Sequence, residues 1–207
     1  MTRTEEQVAF LMQLGASITQ WAHVEDAVRR ILSGAFHDDL NRKAVNVGFF
    51  SIDGFRAKMD FTEAVVARML ATRRPEQSET WTELVDRTRR ASHQRNKLAH
   101  WRVMTYADYK AGRRYALEPW IVTKKEARQY KDRPKPGALC LRDVVKLRHE
   151  FFSLTCALHN FLHRIAGKTE QFPKSAEQPS SPPTIAKLKR QILEGFSFQT
   201  QGGILEQ

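Results

Sequence analysis

The spacing of the apolar residues constrains this chain most, because it follows a helical period over long stretches. Between Thr4 and Phe36, and again between Leu141 and Ile165, apolar side chains recur at steps of three and four, which traces one stripe along an α-helix. The first stripe comprises Leu11, Leu14, Ile18, Trp21, Val28 and Leu32, and the second comprises Val144, Leu147, Phe151, Leu154, Leu158, Phe161, Leu162 and Ile165. The pattern predicts a helical bundle.

Shorter helices are predicted between these two. Residues 41–72 form a pair of helical segments separated at Asp53-Gly54, where Asp53 is expected to cap the second segment. Pro75 ends that pair, and Ser78 is the expected N-cap of a helix over residues 78–99. The apolar positions are Ala44, Val47 and Phe50, then Phe55, Met59, Val65, Val66, Met69 and Leu70, and finally Trp81, Leu84, Val85, Thr88, Ser92 and Ala99 with Leu98 at the edge.

After residue 100 the pattern changes from helical to β-type. Aromatic and β-branched residues precede and follow Ala111-Gly112, which predicts a β-hairpin with Pro119 confining its second strand to an edge. Residues 124–138 are basic and contain prolines, so a loop is expected there. The predicted fold is therefore mainly α: a bundle of about four to five helices with a small β-hairpin inserted after the fourth.

Two regions of different composition are expected. Residues 1–166 form the helical domain, with the hairpin and loop inserted at about 101–138. Residues 167–207 begin with a Pro/Ser-rich linker and form a tail, in which Ile185, Leu188 and Ile192 favour a short helix over 184–195.

The overall charge favours a polyanionic partner. The chain has 34 Lys and Arg against 23 Asp and Glu, a net charge of +11. Two cysteines 16 positions apart form neither a zinc-finger framework nor a disulfide scaffold. A polar N-terminus without an apolar core indicates no signal peptide, and no apolar run is long enough to span a membrane. We therefore expect a cytoplasmic protein.

The positive charge is concentrated around one region. Residues 87–114 contain nine Lys or Arg and one acidic residue, a net charge of +8. Cations beside aromatic rings can neutralise phosphates and stack unpaired bases, so RNA is the expected partner. An ordinary solvated helix face beside a structural hairpin is the alternative. The candidate RNA-binding residues are Arg89, Arg90, Lys97, Trp101, Arg102, Tyr106, Arg113 and Arg114.

The segment from Arg95 to His100 has an unusual helical phase. At 100° per residue Arg95 falls among Leu84, Thr88 and Trp81, inside the apolar stripe of its own helix, where a guanidinium requires an anionic or interfacial partner. Glu25 likewise occupies an apolar position in the first helix. A pair between Glu25 and Arg95 or its neighbours is one interpretation. Asn96 and His100 lie four residues apart on one flank of the helix.

The string Arg95-Asn96-x-x-x-His100, at the end of a basic helix and after a long first helix with an inward acidic residue, resembles the Arg-x4–6-His motif of the HEPN superfamily. The resemblance spans roughly residues 4–165. It implies a helical bundle that dimerises, with the motifs facing across a cleft. Many members are metal-independent endoribonucleases acting as toxins or antiphage effectors, some with an antitoxin or regulatory partner. Others are non-catalytic modules that bind RNA, nucleotides or proteins.

Carried onto this chain, the resemblance makes Arg95 and His100 the catalytic pair and Asn96 the supporting polar residue, with no cofactor and no metal. The residue types suit the chemistry, because histidine exchanges protons near neutral pH and arginine donates two hydrogen bonds to a phosphoryl group. Two alternatives remain: the three residues brace a helix end, or the chain is a basic scaffold. His159 and His163 have a metal-ligand spacing but lack an evident third ligand.

Overall fold

A computed structural model describes residues 3–36, 39–106, 115–119 and 134–167. Within these ranges the chain is mainly helical, with five α-helices and a small antiparallel sheet. The elements in chain order are α1 (Arg3–Gly34), α2 (Asp39–Ser51), α3 (Phe55–Arg73), a 3₁₀ turn (Pro75–Gln77), α4 (Ser78–His100), β1 (Arg102–Thr105), β2 (Tyr115–Glu118), β3 (Leu139–Cys140) and α5 (Leu141–Ile165). The predicted bundle with a β insertion is confirmed.

The two longest helices, α1 and α5, run parallel and form the centre of the bundle. Their contacts follow the same order along both helices: Ser17 with Val144, Trp21 with Phe151, and Gly34 with Leu162. Because Ser17 is level with Val144, about ten residues of α1, or roughly 15 Å, project beyond the start of α5. The projecting part packs on the sheet, where the rings of Phe10 and Tyr115 lie 6.3 Å apart.

Aromatic side chains fill the core between these helices and their neighbours. The ring of Trp21 lies edge-on to Phe55 of α3, at 4.8 Å, and to Phe151 of α5, at 5.3 Å. On α4, Trp81 stacks with Phe161 at a centroid distance of 5.2 Å. Such pairs add about 0.5–1.5 kcal/mol each beyond the burial of their area. They hold α3, α4 and α5 around α1.

The predicted stripe of α1 is wrong in its first half. Leu11 is 46% exposed and Ile18 41% exposed, whereas Phe10, Gln13 and Ser17 face the core. The hydroxyl of Ser17 donates to the backbone oxygens of Gln13 and Val144, which lets a small polar side chain occupy the contact with α5. A prediction from hydrophobicity alone therefore assigns the solvent-exposed face of this part of α1 to the core.

Three further details differ from prediction. On α2, Val47 and Phe50 are exposed and Phe49 is buried. Gly54, at φ 76°, takes the N-cap position of α3 that was expected for Asp53. At the start of α4 the cap position belongs to Gln77 rather than to Ser78, because the 3₁₀ turn leads directly into the helix.

The sheet has one more strand than predicted. β2 pairs with β1 on one side, in a register that places Arg102 opposite Glu118, and with β3 on the other. β2 is thus the central strand, and Pro119 lies immediately after it, so the prediction of an edge strand is wrong. The proposed turn at Ala111-Gly112 and the helix over 184–195 lie outside the described residues.

Candidate functional site

Arg95 lies at the boundary between the core and solvent. Arg95 is half-buried, and its Nε is shielded from solvent and has no hydrogen-bond partner. Nη1 donates to Oδ1 of the adjacent Asn96 over 3.4 Å. The predicted phase holds at Thr88 and at the edge residue Leu98, which are buried, whereas Ala99, predicted in the stripe, is exposed. A guanidinium held in this way retains donor capacity for an anion.

Asn96 and His100 are both exposed on the last turns of α4. The helix extends through His100, and the amide of Trp101 donates to the oxygen of Lys97 over 3.0 Å to close the final turn. Arg95 and His100 are therefore separated by about 7.5 Å along the axis. The three motif side chains share one helix end, where solutes can reach the imidazole and the amide.

Glu25 does not pair with Arg95 in this structure. Oε1 of Glu25 accepts a hydrogen bond from the indole Nε1 of Trp21 over 2.7 Å, one turn earlier on α1. The half-buried carboxylate is explained by this local contact, which satisfies a donor that the core would otherwise bury unpaired. The prediction that Glu25 supports Arg95 through a direct contact is therefore wrong.

The basic residues of α4 differ in whether they are neutralised. Nη2 of Arg89 donates to Oδ1 of Asp60 over 2.7 Å and to Oε2 of Glu63 over 2.5 Å. The hydrogen bond to Asp60 is the main cause that raises the pKa of Arg89. Arg89 thus ties α4 to α3, and its charge is neutralised within the chain. Arg90, by contrast, is exposed and has no hydrogen bond or ion pair with the described part of the chain.

Lys97 and Trp101 interact with each other beside the motif. The ammonium of Lys97 lies 5.4 Å from the centroid of the Trp101 ring, a cation–π contact. Trp101 is half-buried and packs against the core. One face of this tryptophan is therefore engaged within the protein, which limits the predicted stacking of bases on it.

Tyr106 is only 5% exposed, so the prediction that it stacks on RNA bases is wrong. Burial, followed by the hydrogen bond to Glu118, raises the pKa of Tyr106. Glu118, itself 2% exposed, also accepts the backbone N–H of Lys135 over 2.8 Å. Arg102, half-buried on β1, lies opposite Glu118 in the strand register. Polar contacts therefore gather around Glu118, at the end of the sheet where β1 begins.

Sequence reasoning missed Glu118. Its signal was a single acidic residue directly after the apolar run Tyr115–Leu117, in a region otherwise dominated by cations. Acidic side chains are rarely buried unless they are paired. If Glu118 was buried with that run, it therefore needed hydrogen-bond donors, which the Lys135 amide and Tyr106 provide. Arg113 and Arg114, two predicted RNA contacts, lie outside the described residues.

The pair His159 and His163 gains no third ligand. No group of three or more His, Cys, Asp or Glu side chains with metal-binding geometry occurs within the described ranges. His159 is half-buried near Asp26 and Arg30 of α1, and its Nδ1 lies 3.1 Å from the oxygen of Thr155. His159 therefore belongs to the contact between α1 and α5.

Comparisons of the chain with protein-family models, with curated proteins and with solved structures gave no match. None of the helices within the described ranges has the length and apolar character needed to cross a lipid bilayer.

Proposed function

We propose that this protein is a metal-independent endoribonuclease in which Arg95 and His100 act on the same phosphodiester. The observation that carries the proposal is the state of Arg95: a half-buried guanidinium whose Nε has no partner, about 7.5 Å along the helix axis from the exposed His100. An unsatisfied buried donor is costly to keep. Nη1, in its exposed contact with Asn96, is the donor that a phosphoryl oxygen can reach, while the shielded Nε keeps the guanidinium in place.

The chemistry requires two proton transfers. The ribose 2′-oxygen attacks the adjacent phosphorus while the bond from phosphorus to the 5′-oxygen breaks, which yields a 2′,3′-cyclic phosphate and a 5′-hydroxyl end. A base takes the 2′-proton and an acid protonates the leaving oxygen. His100 serves one of these steps, and Arg95 stabilises the charge that develops on the non-bridging oxygens. Asn96 holds Nη1 of Arg95 and so orients the guanidinium.

A second copy of the chain completes the site in this proposal, because one histidine cannot be acid and base in the same step. The exposed apolar residues of α1 support a self-association surface: Val8, Leu11, Met12 and Ile18 are each more than 40% exposed and lie on the helix face opposite the core. This face is at the end of the bundle that also holds His100. Isologous pairing of two such faces suits a twofold dimer.

The test is cleavage of RNA in EDTA by the wild type and by the variants Arg95→Ala and His100→Ala. Each substitution should lower the cleavage rate by about 10²–10⁴-fold. His93→Ala is the matched control, since it removes an exposed histidine from the same helix two turns earlier and should leave the rate unchanged. Cleavage that survives His100→Ala would contradict the proposal, as would a dependence on added metal.

A non-catalytic module that binds RNA, a nucleotide or a protein partner is the alternative use of the same residues. It predicts binding that weakens with salt and no cleavage by the wild type. Within the leading proposal, the biological role is that of a toxin or antiphage effector, with an antitoxin or regulatory protein as partner. Induced expression should then arrest growth for the wild type and not for His100→Ala.

A further inference from the structure

Two contacts define how α4 and α5 are aligned along the groove between them. Trp81 stacks on Phe161, and Nη2 of Arg87 donates to Oγ of Ser153 over 2.8 Å. Rising numbers on α4 therefore meet falling numbers on α5, so the helices are antiparallel. At equal rise per residue, position 94 is level with about 147 and position 100 with about 141. The groove thus leads directly to the end of α4 that holds His100.

Cations line this groove from both helices. Arg87 contacts Ser153 of α5, and by helical phase Arg90 lies about 60° and Lys97 about 80° further round α4, toward solvent. Lys146, whose side chain is 72% exposed, and Arg142, also exposed, lie on α5 near the same levels as Lys97. From position 87 to position 97 the cations extend over about 15 Å.

Acidic residues offset the cations at the Arg87 end of the groove, where the exposed Glu83 and Asp86 lie by helical phase near Arg90, and offset them less at the Lys97 end. Glu150 lies 3.9 Å from Nζ of Lys146, but both side chains are more than half exposed, so the pair contributes little. Asp143 is engaged at the start of α5, where its Oδ2 accepts the backbone N–H of Cys140 over 2.9 Å. The opposite flank of α4 contrasts with this, because there Arg89 is bound to two carboxylates of α3.

We propose that the α4–α5 groove, with Arg87, Arg90, Lys97, Arg142 and Lys146 along it, binds the phosphates of single-stranded RNA near the end of α4 that carries His100. This inference rests on the proposed ribonuclease function. Two packed helices are about 8–10 Å apart, so the cations form a narrow line that one sugar–phosphate backbone can follow. At about 3.4 Å per stacked nucleotide, the groove accommodates roughly four nucleotides.

The experiment measures binding separately from cleavage. The probe is a fluorescein-labelled 12-nucleotide RNA of mixed sequence with 2′-O-methyl sugars, which lack the attacking hydroxyl, and its Kd is followed by anisotropy at several KCl concentrations. Removing two phosphate contacts with Arg90→Gln and Lys146→Gln should reduce the slope of log K against log salt by about 1.4. The matched control is Arg56→Gln on α3, which removes an exposed cation outside the groove and should leave the slope unchanged.

Three outcomes would overturn the groove assignment: an unchanged slope in the double variant, an equal loss of slope in Arg56→Gln, or a blunt duplex of the same sequence binding as tightly as the single strand. The ribonuclease proposal fails separately. If wild-type protein leaves unmodified RNA intact in EDTA while the double variant still shows the reduced slope, the cleavage proposal is wrong and the groove assignment stands. His100→Ala should retain the wild-type slope.

Discussion

The side chain of Arg95 lies in the buried stripe of α4, between Thr88 and Leu98, although its Nε has no hydrogen-bond partner. An apolar residue at this position would continue the stripe without that deficit. Arg95 therefore combines the position of a core residue with the chemistry of an anion ligand, and stability and function place opposite demands on it.

Replacing Arg95 by methionine should make the protein more stable and inactive. Methionine keeps the unbranched shape and removes the unsatisfied donor, so we expect a gain of about 1 kcal/mol in the free energy of unfolding, measured by urea denaturation. Asn96→Ala, at an exposed neighbouring position, should change that free energy by less than about 0.5 kcal/mol. A clear loss of stability in Arg95→Met would show that the guanidinium supports the fold.

At the scale of the elements, α1 and α5 are joined by titratable groups. Burial is the main cause that lowers the pKa of His159, which lies near Asp26, Arg30 and His163. For Asp26, burial opposes the shift, but hydrogen bonds from Arg29 and Arg30 lower the pKa overall. His159 is thus held preferentially neutral in the folded state.

The fold should lose stability as the pH falls below about 6.5, the ordinary pKa of histidine. Because the folded-state pKa of His159 is lower, the unfolded chain binds more protons in this range, and acidification favours unfolding. Urea unfolding at pH 7.5 and pH 5.5 should show a smaller pH effect for His159→Gln than for the wild type. A pH effect in His159→Gln as large as that of the wild type would contradict the assignment. Asp26 contributes only in a more acid range, below its ordinary value of 3.8.

The sequence predicted elements better than it predicted contacts. The bounds of α5 follow from the apolar period alone, since its stripe faces the core along its whole length. The first half of α1 could not be predicted in this way, because the Ser17 hydroxyl faces the core through hydrogen bonds that hydropathy does not take into account, and the polar Gln13 is also buried. A third strand of two residues, Leu139–Cys140, is too short to produce a pattern.

The candidate site was predicted only along its own helix. The phase of Arg95 and the continuation of α4 through His100 follow from local spacing, which the chain itself determines. The partners of Glu25, Arg89 and Tyr106 depend on which side chains neighbouring elements bring close, and each differs from the prediction. Long-range pairing of charged groups is not encoded in the period of a single segment.

For the whole molecule, the exposed apolar face of α1 makes self-association testable. Leu11→Glu should convert the proposed dimer to a monomer and lower RNA cleavage in parallel, because a charge is placed within an apolar contact. Light scattering coupled to size exclusion measures the mass. Val47→Glu, which changes a 68% exposed residue on α2, is the control and should leave the mass unchanged. A monomeric wild type, or a dimer that tolerates Leu11→Glu, would contradict the proposed surface.

The projecting end of α1 links the sheet to the bundle. Phe10 is 1% exposed and meets Tyr115 on the central strand, so neither part retains its packing if the other opens. The two should therefore open together as one local unfolding unit, with amide hydrogen exchange at similar rates in residues 5–12, 102–105 and 115–118. Phe10→Ala should speed exchange in all three segments and leave α3 unchanged. β1 begins two residues after His100. The flexibility of the proposed site would then be governed by the contact of Phe10, near the N-terminus of α1, with Tyr115.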